Sequence, residues 1–167
     1  MNSLFFKRIL LFVTFVTLFK VGISAQSKSV FLNLKVGQTT YQEAINQINN
    51  SKYRNYVKTN KKGSIFVVGT TVEQNDGMIW DHIDIHFSEG YINNIHFHSN
   101  TESGHSTDYL VKKYQQRKEF FISNNGYSFW YEENGKLVYK YYGVAVTLKM
   151  FDSNVAGKVL DVQYMGL

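Results

Sequence analysis

A chain of 167 residues, 44% apolar, 16% aromatic and 19% charged, has material for one ordinary globular core or two very small ones. It has no cysteine, which excludes a disulfide framework and a lipid anchor on an N-terminal Cys. The formal charge of +5 falls to +2 from Gln26 onward, because Lys7, Arg8 and Lys20 precede that point with no acid among them. So weak a balance does not mark a nucleic-acid surface.

The first 25 residues have the order of a secretory signal. Lys7 and Arg8 are followed by an apolar run from Ile9 to Phe19, then by small residues at Gly22, Ser24 and Ala25. Lys20 closes the run too early for a membrane-spanning helix, which needs about 20 apolar residues. The product expected is an exported protein, periplasmic or secreted, with no membrane span after cleavage.

Val30 to Val36 alternates weakly and reads as a short lead-in strand. A helix is expected over Thr39 to Asn50, with Thr39 as N-cap, Gln42 three residues on, and Tyr41, Ala44, Ile45 and Ile48 as its apolar face. Lys52, Arg54, Lys58, Lys61 and Lys62, with Tyr53 and Tyr56 between them, read as a solvated loop. Ser64 to Glu73 is strand-like, and Asn75, Asp76 and Gly77 form a turn. Met78 to Phe87 and Tyr91 to His98 read as a hairpin. A three-residue loop of Ser88, Glu89 and Gly90 pairs Phe87 with Tyr91, Ile83 with Ile95 and His82 with His96. A two-residue loop would mix the polar and apolar faces.

Asn100 to His105 is polar and divides the chain. Ser106 or Thr107 caps a second helix to Ile122, with Leu110, Tyr114 and Phe121 inward and Lys112, Lys113, Arg117 and Lys118 expected in solvent. Tyr127 to Glu132 and Lys136 to Tyr142 form a second hairpin around Asn134 and Gly135. A three-residue loop there pairs Phe129 with Tyr139, Tyr131 with Leu137, and Glu132 with Lys136 as an ion pair. Val144 to Phe151 and Lys158 to Met165 are the last strands. The fold class read from this order is α+β in two tandem related units, residues 26–102 and 103–167. Each is a helix packed on an antiparallel sheet of three to four strands. The alternative is one sheet in which all strands are continuous.

The opening of the first unit carries a resemblance. From Phe31 to Ala44 an apolar segment leads to Gly37, a capping Thr39 and Glu43. This resembles the β-lactamase inhibitor protein family and the small outer-membrane assembly lipoproteins that share its look, as well as small exported bacterial proteins of unknown function. Gly104 and Ser106 keep the spacing in the second unit, although His105, Ser106 and Thr107 depart from the pattern. The lack of cysteine departs from both named families. The resemblance implies a tandem α/β scaffold that binds protein partners.

Chemistry is sparse. No serine sits in a nucleophile-elbow context, there is no thiol, and no cofactor motif occurs. The chain therefore reads as a non-enzymatic binding module whose partner is another exported or envelope protein. Trp80, Trp130 and Tyr142 are its candidate exposed anchors. One constellation points to metal instead. His82, His96 and His98, with Asp84, fall on one face of the first hairpin, where imidazoles on paired strands can share an ion with a carboxylate.

Overall fold

The structure is a computed structural model and describes residues 28–167; the leader expected over residues 1–25 lies outside them. Eight strands form one antiparallel sheet. Their spatial order is β1 (Val57–Thr59), β2 (Ile65–Val67), β5 (His82–Ser88), β6 (Tyr91–Asn100), β10 (Gly157–Gly166), β9 (Val144–Ser153), β8 (Lys136–Tyr141) and β7 (Tyr127–Glu133). A separate two-stranded ribbon joins β3 (Val72–Glu73) to β4 (Ile79–Trp80). Within the described residues two α-helices accompany the sheet, α1 (Tyr41–Asn49) and α2 (Thr107–Ser123). Among the described residues no helix is long and apolar enough to cross a membrane.

This corrects the reading of two tandem helix-on-sheet units. The protein is mostly β, and eight of its ten described strands form a single sheet. β6 from the first half pairs with β10 from the second, from Asn94↔Met165 to Asn100↔Val159. The apolar core is correspondingly one cluster, with Ile83, Ile95 and Phe97 in the same body as Leu148, Leu160 and Tyr164. A small unit buries too little surface alone, and fusing the two edges gives every inward side chain a neighbour. Each large apolar residue buried this way contributes roughly 1.5–3 kcal/mol.

Helix α2 ties the halves together through groups expected in solvent. Lys113 and Arg117 are buried with Leu110 and Phe121. Arg117 donates to Asp76 in the ribbon turn at 2.6 Å and to Tyr164 on β10 at 2.8 Å, between the rings of Phe120 and Phe121. The Lys113 ammonium donates to the Ile79 carbonyl and to Ser99, over the ring of Trp80. Lys113 and Arg117 are four residues apart and in helical phase with Leu110, so the face assignment was available to periodicity. Their charge argued against it. Burial is tolerable because Arg117 has a carboxylate and a hydroxyl as partners, and Lys113 has two acceptors.

The turn chemistry also differs in detail. Thr40, not Thr39, caps α1, with Glu43 closing a reciprocal capping box. Both hairpins use two-residue turns. Glu89 and Gly90 have φ of 53° and 85°, and Asn134 and Gly135 have 50° and 71°, the positive pair that a type I′ turn requires. Each turn is followed by a bulge, between His86 and Phe87 in one hairpin and between Phe129 and Tyr131 in the other. The bulge restores the face parity that the shorter turn alone would break. Phe129 does face Tyr139, but Tyr131 faces Val138, and Lys136 faces Glu133 instead of Glu132.

Candidate metal centre at the middle of the sheet

The seam between the halves is the chemically densest part of the molecule. On β5, β6 and β10 the residues Ile83, Ile85, Ile95, Phe97, Leu160, Val162 and Tyr164 turn into the core. Strict alternation sends the residues between them to the opposite face. Two cross-strand rows result. His82, His98 and Asp161 form one; Asp84, His96 and Gln163 form the other. His82 therefore faces His98, not His96 as a three-residue loop required, and His96 faces Asp84. Neighbours in a row have Cβ atoms about 4.5–5.5 Å apart, and diagonal neighbours remain in reach of side chains this long.

His98 is the hub. Its Nδ1 lies 2.8 Å from Asp161 and its Nε2 lies 3.0 Å from Asp84. The His82 ring stacks on it at 4.4 Å, and the His96 ring leans against it at 3.5 Å. Burial alone would make His98 less basic. The two carboxylates outweigh burial and raise it to about 9. Burial also opposes the charge on Asp161, yet hydrogen bonds from His96 and His98 hold that carboxyl down at about 2. His82 and His96 are lowered, first by burial and in part by the charge on His98. The cluster thus concentrates two carboxylates and an imidazolium between two neutral imidazoles.

The Gln163 side-chain amide lies 3.0 Å from His96 Nε2. The same Nε2 lies 3.2 Å from Asp161 Oδ1, to which it donates when it carries the proton. Ligand atoms of His82, Asp84 and His98 lie within 4.8 Å of one another, and so do those of His96, His98 and Asp161. Donors at the usual 2.0–2.1 Å from a tetrahedral ion sit about 3.3 Å apart, so small side-chain rotations close either set. Imidazole with carboxylate is a donor mixture suited to zinc and its neighbours.

All four metal candidates named from the sequence, His82, Asp84, His96 and His98, converge here. Asp161 and Gln163 were missed because they arrive from the last strand, over 60 residues away. The alternation of Leu160, Val162 and Tyr164 was the available signal, since it puts Asp161 and Gln163 on the outer face. His86 stands apart and bonds to the buried Ser64 at 3.1 Å. His105 pairs with Asp81 at 2.6 Å and stacks on Tyr109.

The aromatic anchors fare unevenly. Trp80 is not exposed. It is fully buried on β4, where its indole donates to Gln74 at 3.1 Å and its ring packs on Phe97. A large ring with one donor is well suited to that place in a core with a polar tie. Trp130 and Tyr142 are about half exposed, at 46% and 47%. Trp130 lies on the edge strand β7 under the Lys140 ammonium.

Compared with known proteins, the chain matches no family model, no curated protein and no solved structure.

Proposed function

We propose that this is an exported binding module whose sheet face holds a divalent transition-metal ion such as zinc. The observation that carries it is the convergence of His82, Asp84, His96, His98 and Asp161 at the β5, β6 and β10 seam, with ligand atoms within 4.8 Å in each of two sets. The sequence feature behind export is the leader-like order of residues 1–25. No group in the cluster offers a hydroxyl or thiol nucleophile, and binding is what the donor set supports. Cations compete with the protons on these rings, so affinity should rise from pH 6 to pH 8.

Titration calorimetry with zinc on the chelator-stripped protein tests this. Saturable binding is expected near pH 8. It should drop at least tenfold in His98→Ala and stay unchanged in His105→Ala, whose ring lies outside the cluster. A flat isotherm, or one that His98→Ala leaves intact, would overturn the reading.

A further inference from the structure

The two ligand sets share one residue, and they share it through different atoms. Asp84 meets His98 at Nε2, and Asp161 meets it at Nδ1. His82 belongs with Asp84 and His98, and His96 with His98 and Asp161. A single ion cannot bond to both nitrogens of one imidazole, because their lone pairs diverge across the ring. A mononuclear site would use one set and leave the other carboxylate and imidazole unemployed. Yet each side of His98 is equipped alike, with one further imidazole and one carboxylate.

We propose that the centre is dinuclear, with His98 as a bridging imidazolate between two divalent transition-metal ions. One ion is held by His82, Asp84 and His98 Nε2. The other is held by His96, Asp161 and His98 Nδ1. With metal–nitrogen bonds of about 2.0 Å on either side of the ring, the ions stand about 6 Å apart. Formation is a balanced exchange: two ions replace the two N–H protons of the His98 imidazolium, and both protons leave to solvent. Each ion then has three protein ligands and an open position toward the solvent face, the arrangement of a site able to take an additional small ligand.

The inference rests on the proposed metal function and goes one step past it. Its fold context also favours two ions. The site lies on regular strands in the middle of the sheet, where β5, β6 and β10 are each paired on both edges. Backbone movement cannot then bring all five donors to one point, whereas two ions need only rotations of side chains already on either side of His98.

Copper is the probe, because a bridging imidazolate couples two Cu(II) spins. Stripped full-length protein is titrated with Cu(II) and followed by electron paramagnetic resonance, with bound copper counted after desalting. Two equivalents are expected, and the integrated signal should fall at least several-fold below that of two independent ions. His82→Ala with Asp84→Asn should bind one equivalent with a full, uncoupled signal. His96→Ala with Asp161→Asn should do the same from the other side. Circular dichroism checks that each variant keeps its sheet. If a double variant fails to fold, the near-isosteric Asp84→Asn and Asp161→Asn alone should each weaken one equivalent and restore the missing signal. One equivalent in the wild type, or two that are magnetically independent, would overturn the bridge and leave the metal-binding function standing. No bound copper at all would overturn both.

Discussion

His98 determines how the metal-free protein responds to pH. Its imidazole is held between Asp84 and Asp161, which raise it from 6.5 to about 9 against the opposing effect of burial. A base whose folded value lies above its unfolded one stabilises the fold fully below the unfolded value. That stabilisation is lost as pH rises through the folded value. Stripped protein should therefore lose roughly 2–3 kcal/mol between pH 6 and pH 9.5 relative to His98→Gln, whose side chain is never charged. Lys113 works in the opposite direction. Burial lowers it to about 8, so its contribution improves as pH rises from there toward 10.5. It is present in both proteins and cancels in the comparison. Urea unfolding of both proteins at the two pH values is the check. Equal changes would mean that the ion-paired state of His98 does not exist. The imidazoles themselves were legible in the sequence, as was the face they share. Asp161 was not, because a carboxylate in an alternating strand has no mark that says which distant strand will pair beside it.

At the level of elements, the face of each strand was legible and its register was not. Side-chain alternation has a period of two, so it fixes parity alone. The three-residue loop expected in the first hairpin preserves that parity. The protein preserves it by a two-residue turn plus a bulge, which in the first hairpin moves the partner of each residue from His82 to His86 by two positions, a step that alternation cannot detect. That step moved His98 from its expected place beside His96 to a position opposite His82, at the hub of the cluster. Glycine substitutions should distinguish this turn from a tight side-chain contact. Gly90 has φ of 85° with open space where a Cβ would go, so Gly90→Ala carries only the left-handed backbone cost of about 1–2 kcal/mol. Gly157 has φ of 63°, and an added Cβ would stand 2.2 Å from Thr101 Oγ1. That hydroxyl already accepts from the Lys158 amide and donates to the Ala156 carbonyl. Gly157→Ala should therefore cost more than Gly90→Ala by at least about 1 kcal/mol. Thermal unfolding of the two variants ranks them. The reverse order would show that the turn at Gly90 is under further constraint.

For the whole molecule, the sequence showed two helices and a run of antiparallel strands but hid how the halves join. Each half has its own hairpins and helix, and short-range signals such as capping boxes and Asn-Gly turns stop at that scale. The pairing of β6 with β10 joins residues 59 to 71 positions apart, from Asn100↔Val159 to Asn94↔Met165, and nothing local announces it. The same applies to Arg117, whose partners Asp76 and Tyr164 come from both sides of that seam. The seam that fuses the sheet also assembles the candidate centre, since β6 supplies His96 and His98 and β10 supplies Asp161 and Gln163. Metal binding at this place is the claim that everything else leans on. Its most direct test is an anomalous difference map, recorded at the zinc edge, from crystals of the protein grown with zinc. The account predicts density among His82, Asp84, His96, His98 and Asp161, flanking the His98 ring. Zinc found only elsewhere, at His86 or at the His105 and Asp81 pair, or no anomalous peak on the sheet face, would contradict it.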